Sequence, residues 1–312
     1  MSTGQTNLLQ VLQKRVETLQ GEGKLEDALR VSQTAVDAAR RNVASDSNTM
    51  PRLVSTLLML ADLRRMVSDF DGAESVYLEG LSLAAEMTQN VANVDAPNLE
   101  IARLQSGLAS LYDFTSREER AIPLYEEAIQ RFEVNDPPEL EEAAYLCNNV
   151  GMIYKQMDEY PAAEAFYKKA LQIFETNRGA SHHSVGTVYN NLGGLYTAME
   201  AHDKAREAHS RAMKIREQAF PRNHPDLGQS LCNMATVYHQ LNDFNNARKH
   251  YEAALRLFEK NLDDTDEDYT ILMNNYAQLL RDHGQEKKAE ALEKRIQGRL
   301  RKLDEKRYEA SA

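Results

Sequence analysis

The sequence predicts an all-α chain, a solenoid of antiparallel helix pairs, and three observations carry that expectation. Tyr154, Tyr196 and Tyr238 recur at 42-residue steps, and an alanine follows each of them nine residues later (Ala163, Ala205, Ala247). The apolar residues between these marks fall at helical spacing. Glycine and proline are scarce, 14 and 8 among 312 residues, which disfavours a loop-rich β fold and suits long helices.

The same ruler extends in both directions. It reaches Ala121 and Ala289 at 42 residues, then Ala73 and Ala28 with steps of 48 and 45. Seven units follow, over 9–53, 54–101, 102–143, 144–185, 186–227, 228–269 and 270–303, preceded by a short segment 1–8 and followed by a charged tail 304–312. A period this long signals one repeat array rather than two globular domains.

Each unit reads as two helices. In the fifth, Tyr189, Leu192, Gly193 and Tyr196 lie at i, i+3, i+4 and i+7, one face of a first helix. In the fourth, Ala163, Tyr167, Ala170, Leu171 and Phe174 mark one face of a second helix. Short polar turns such as Met157-Asp158-Glu159-Tyr160 and Leu241-Asn242-Asp243-Phe244 require the pair to run antiparallel. Small residues recur on the first helix (Ala61, Ala109, Gly151, Gly193, Ala235, Ala277) opposite the alanines of the second, so the backbones can approach closely. Tyr112, Tyr154, Tyr196 and Tyr238 of the first helices, with Tyr125, Tyr167 and Tyr251 of the second, fill the flanking space.

This pattern, readable in Tyr189-Leu192-Gly193-Tyr196-Ala205-Ala212, resembles the tetratricopeptide repeat (TPR). The 42-residue unit, with loops such as His224-Pro225-Asp226-Leu227-Gly228, is similar to the repeats of kinesin light chains. The resemblance covers about residues 9–303 and implies a right-handed superhelix whose first helices line the concave side.

Several functions are disfavoured. With 37 basic and 48 acidic residues the net charge is −11, which discourages binding to nucleic acid or an anionic membrane. The first residues lack a basic leader and no long apolar run is present, so neither a signal peptide nor membrane insertion is expected and the cytoplasm is the expected location. Cys147 and Cys232 are too few for a disulfide framework or a cysteine zinc site. No catalytic or nucleotide-binding motif is present, so a non-enzymatic protein without a cofactor is expected. Gly21-Glu22-Gly23-Lys24 reads as a turn. His182-His183 reads as loop chemistry rather than a metal site, and Asp263, Asp264, Asp266, Glu267 and Asp268 read as a solvated acidic connection.

One ladder stands out. Asn149, Asn191, Asn233 and Asn275 lie two residues before the small residue of four successive first helices. Asparagine is poor in a helix interior, so its recurrence calls for a compensating role. The TPR resemblance implies a ligand-facing position, where each amide offers a donor and an acceptor to a peptide backbone. The alternative is that each amide ties neighbouring repeats together. On the same side the register places Tyr145, Asn148, Lys155, Asn190, Gln229, His239, Asn274 and Arg281, together with Arg103, Thr187, Gln240 and Gln278. Their charged members are basic, although Asp113 and Asp282 fall nearby, which favours a ligand segment with carboxylates flanking an apolar anchor.

The expected function is therefore a scaffold or adaptor that binds an extended peptide of a protein partner. The alternative is self-association into a homodimer or larger assembly through a terminal helix, for which Leu8, Leu9, Val11, Leu12, Val16 and Leu19 supply an apolar stripe.

Overall fold

The computed structural model describes residues 2–90, 97–135, 137–259 and 266–311, with the side chains of 1–7, 88–98, 266–267 and much of 296–312 left aside. Every regular element among the described residues is helical. The order is α1 (Ser2–Gly21), α2 (Leu25–Ser45), α3 (Met50–Met66), α4 (Phe70–Asn90), α5 (Pro97–Phe114), α6 (Glu118–Val134) and α7 (Leu140–Gln156). It continues with α8 (Tyr160–Arg178), α9 (His183–Ala198), α10 (His202–Ala219), α11 (Pro225–Gln240), α12 (Phe244–Phe258), α13 (Asp266–Asp282) and α14 (Glu286–Ser311). Odd-numbered helices are the first and even-numbered the second of each hairpin.

The chain divides into two compact units, Met1–Ile153 and Tyr154–Ala312. The unit boundaries drawn from the register fall inside the first helices α3, α5, α7, α9, α11 and α13. Residues 2–8 belong to α1, and 304–311 continue α14 instead of forming a separate tail, because no proline interrupts either stretch and α14 is rich in Glu, Lys, Arg and Leu. Asp263 and Asp264 of the acidic connection lie outside the described residues.

A single device closes every hairpin. The second residue of each turn has positive φ: Gly23, Ser68, Ser116, Asp158, Glu200, Asn242 and Gly284. At each turn two amides bond back into the first helix. In the fourth hairpin Asp158 N–H donates to Lys155 C=O at 3.2 Å and Glu159 N–H to Tyr154 C=O at 2.9 Å, and the same pair recurs from Gly23/Lys24 to Gly284/Gln285. This is the Schellman arrangement, which satisfies the last carbonyls of a helix. It explains the fixed distance from tyrosine to alanine. The tyrosine carbonyl closes the turn, and the alanine amide makes the first α-type bond of the next helix, as in Ala163 N–H to Glu159 C=O at 3.0 Å.

The seven alanines are fully buried, at 0% exposure each. Opposite them, large residues of the second helices lie in one register: Tyr77, Tyr125, Tyr167, His209 and Tyr251, all at 2% exposure or less. Some signature tyrosines of the first helices bond to the preceding hairpin, Tyr112 to Glu74 at 2.8 Å and Tyr196 to Glu164 at 2.8 Å.

Helix α10 departs from this register. His209 stands where the other second helices carry tyrosine, and Arg216 stands at the position of Phe132, Phe174 and Phe258. Arg216 is 4% exposed; its guanidinium donates to Ser230 Oγ at 2.9 Å, the Asp226 carbonyl at 3.1 Å and Gln229 Oε1 at 3.3 Å. Ser230 in turn replaces the leucine or valine of Leu146, Val188 and Leu272, so a polar pair substitutes for an apolar one between α10 and α11. The His209 ring rests on Gly193, where a Cβ would come within 2.5 Å of it. Burial, reinforced by the Arg216 charge, lowers the His209 pKa from 6.5 to about 4.

Two predictions follow from these contacts. Glu200→Gly relieves a left-handed non-glycine residue, whose cost of roughly 1–2 kcal/mol is partly offset by glycine's entropy, so thermal unfolding should show an unchanged or raised Tm. Gly284→Ala should instead lower the Tm, by about 1 kcal/mol in free energy. His209 is neutral when folded, so its contribution is intact above pH 6.5 and is lost as pH falls from there through about 4. Relative to His209→Tyr, the natural chain should lose about 3 kcal/mol more unfolding free energy between pH 7 and 4. Superimposable pH profiles for the two proteins would contradict a buried neutral imidazole.

Candidate functional site

The first helices carry the residues singled out by the register. In unit 1, α3, α5 and α7 wall an open cleft of about 290 Å³. Asp62 and Arg65 of α3, Arg103, Ser106 and Ser110 of α5, and Glu142 and Asn149 of α7 line it, with Tyr125 at its base. Gly107 occupies the Asn149 position one repeat earlier, and a Cβ there would meet the Tyr77 ring at 2.6 Å. The Tyr77 hydroxyl donates to Asp62 at 2.5 Å, and burial holds the Asp62 carboxyl above the usual carboxylate range despite this bond and the nearby Arg65.

Asn149 is half-buried. Its side chain and that of Ser110 hydrogen-bond the Tyr125 hydroxyl, whose pKa is pushed up to about 12 chiefly by burial and further by Asp113. Tyr145 is exposed, and Asn148 Nδ2 lies 3.8 Å from Met152 Sδ. Among the described residues Arg103 has neither a hydrogen-bond nor an ion-pair partner, although the cleft also holds two carboxylates.

Unit 2 uses its amides differently. The Asn233 amide donates to Asn190 Oδ1 at 2.8 Å, joining α11 to α9. Asn275 hydrogen-bonds Cys232 of the preceding first helix; burial pushes that thiol up to about 12. Asn191 is half-buried and Asn274 exposed, while Gln229 is engaged by Arg216 at 3.3 Å. Three ladder members, Asn149, Asn233 and Asn275, thus touch a neighbouring hairpin. Lys155 Nζ lies 3.8 Å from the point that a Cβ on Gly194 would occupy.

Two members of the expected basic rim are engaged by carboxylates. His239 Nε2 pairs with Asp282 at 2.8 Å, and Arg281 bonds Glu286 at 3.2 Å and Glu293 at 2.5 Å. His239 and Arg281 thus meet carboxylates of the next repeat and of their own hairpin, whereas Arg103 and Lys155 have no such partner among the described residues. Asp62, Arg65, Ser106, Ser110 and Glu142 went unrecognised in the sequence. The ruler that found the asparagines also locates Asp62, Ser110 and Thr236 at one position, next to the small residue of the first helix.

His182 and His224 cap α9 and α11, each Nδ1 accepting from a backbone amide two residues on, at 3.4 and 3.2 Å. No cluster of three or more metal-ligating side chains is present among the described residues. Neither cysteine is in a disulfide, and both are buried. No described helix is long and apolar enough to cross a membrane.

Comparisons with known proteins agree with this architecture. The tetratricopeptide repeat family matches residues 141–218 and 222–302. The crystal structure of BtubC (BKLC) from P. vanneervenii is 33% identical, covering 76% of this chain and 91% of that one with a TM-score of 0.64. A tetratricopeptide repeat protein from Parabacteroides merdae shares the fold at 16% identity, covering 94% of this chain and 93% of its own with a TM-score of 0.60. The TPR-like repeats of a Podosopora anserina kinesin light chain share it at 17% identity, covering 65% and 97%, with a TM-score of 0.55. No curated protein matches the chain. Family match, hairpin geometry and repeat register coincide: the chain belongs to the tetratricopeptide repeat family.

Proposed function

We propose that this protein is a non-enzymatic interaction scaffold that takes an extended segment of a protein partner along its first-helix faces. The observation that carries this reading is the unit 1 cleft, about 290 Å³ between three successive first helices. Its lining offers paired donors and acceptors from Ser106, Ser110 and Asn149, and an uncompensated guanidinium from Arg103. Prestacked helices leave only the incoming segment to be ordered, which limits the entropic cost of binding. Tyr145, Asn148 and Asn149 extend the surface in unit 1. In unit 2, Lys155, Asn190, Asn191, Gln229, Asn233, His239, Asn274, Asn275 and Arg281 occupy the corresponding face. Asn149, Asn233 and Asn275 serve cohesion between hairpins as well, so ligand and stacking roles share the ladder. Two buried cysteines outside any disulfide suit a reducing, cytoplasmic setting.

A second reading, self-association, is favoured by one feature: Leu8 and Val11 on α1 are 49% and 58% exposed. If the chain is dimeric by light scattering and Leu8→Glu/Val11→Glu is monomeric, α1 is the assembly surface.

The test of the first reading selects segments from a random peptide library on the natural chain and measures their affinity for variants. Arg103→Glu and Tyr145→Ala should each weaken binding about tenfold, the scale of a substantial interface residue, without lowering the Tm. Unchanged affinity in both would remove the unit 1 face from consideration. Asn233→Ala should cost about 1 kcal/mol of stability by stranding the Asn190 carbonyl, while Asn274→Ala should cost nothing measurable.

A further inference from the structure

The gaps between successive second helices of unit 2 are filled unequally. Between α8 and α10, Tyr189 of α9 spans the gap and narrows it to a cleft of about 350 Å³. Its hydroxyl donates to Glu175 on α8 at 3.3 Å and accepts from Arg211 on α10 at 3.0 Å. Forty-two residues later the three positions hold Leu231, Glu217 and Ala253. A leucine is too short to span the gap, and alanine supplies no guanidinium. What remains between α10 and α12 is a cleft of about 480 Å³ lined by Met213, Glu217, Arg222, Leu227, Leu231 and Leu257.

The correspondence extends to the walls. Met213, Leu227 and Leu257 are the register counterparts of Leu171, Val185 and Ile215, of which Leu171 lines the cleft beside Tyr189. The cleft therefore keeps the apolar shell and the carboxylate acceptor but lacks the ring. Among the described residues the Glu217 and Arg222 side chains have no hydrogen-bond or ion-pair partner. Mostly apolar walls with one or two convergent polar groups are the usual make-up of a pocket for a single aromatic side chain.

We propose that this cleft is a docking pocket for a tyrosine side chain presented by a partner protein. The ring lies among Met213, Leu227, Leu231 and Leu257, and the phenol donates to Glu217 as Tyr189 does to Glu175. The neighbouring hairpin supplies the template for the bound state. The pocket lies on the second-helix side of unit 2 and does not depend on the first-helix reading.

N-acetyltyrosinamide and N-acetylphenylalaninamide serve as probes of the natural chain in methyl NMR titrations. Saturable shifts are expected at Met213, Leu227, Leu231 and Leu257, with the tyrosine probe roughly fivefold tighter, the scale of one net hydrogen bond. Glu217→Gln should erase most of that preference. Leu231→Tyr should fill the cleft from within, raise the Tm and abolish the shifts. Absence of saturable shifts, equal affinity for the two probes, or undiminished binding by Leu231→Tyr overturns the proposal. A natural dimer that Leu231→Tyr dissociates in sedimentation velocity makes a second copy the occupant and overturns the assignment to a separate partner. The Glu217→Gln arm stands even if Leu231→Tyr fails to fold.

Discussion

Two helices meeting at an alanine set the terms for the rest of this molecule. With only a methyl group between the backbones, each hairpin closes on itself, and the seven alanines at 0% exposure mark where it does so. The turn enforces the meeting. Its left-handed residue and paired back-bonds hold the second helix at one offset from the first, whether the residue is Gly23, Glu200 or Asn242. Geometry outranks residue preference here, and four of the seven positions carry Ser, Asp or Glu rather than glycine or asparagine.

Because the small residues close the hairpin, the large ones are left to join hairpins to each other. Tyr125 lies buried on α6, yet its hydroxyl surfaces between α5 and α7 to meet Ser110 and Asn149. Tyr77 bonds Asp62 of its own hairpin while its ring packs against Gly107 of the next, and Tyr251 meets Thr236 of its own hairpin at 3.1 Å. The first-helix face is thus a row of polar groups pinned from behind by aromatic rings. Such a face is half-buried and ordered before a partner arrives. Unit 1 leaves a cleft in it, whereas unit 2 uses several of the same positions for bonds between its own hairpins.

The fold was legible because its causes are local and repeated. Ala163, Ala205 and Ala247 announce the hairpin without knowledge of any distant contact, and the glycine at 193 correctly marked a close approach. The outcome at the ladder was not legible. Whether Asn233 faces a ligand or Asn190 depends on a side chain 43 residues away, and the sequence offers both as amides. The pairings of His239 and Arg281 were hidden for a related reason. His239 and Arg281 look free along their own helix, but Asp282 and Glu293 come to them only after hairpins have stacked and turned. The polar exchange of Arg216 with Ser230 was likewise hidden, since each residue alone reads as an ordinary departure from the pattern. Only together do they show one buried pair replacing another.

A partner segment bound along the first-helix face should slow amide exchange there and leave the packing behind it untouched. Amide hydrogen exchange of the intact chain, with and without a library-selected segment at saturation, reads this out. Added protection is expected in α3, α5 and α7 of unit 1, with α4 and α6 unchanged. Protection concentrated in α4 and α6, or spread evenly over the chain, would contradict it.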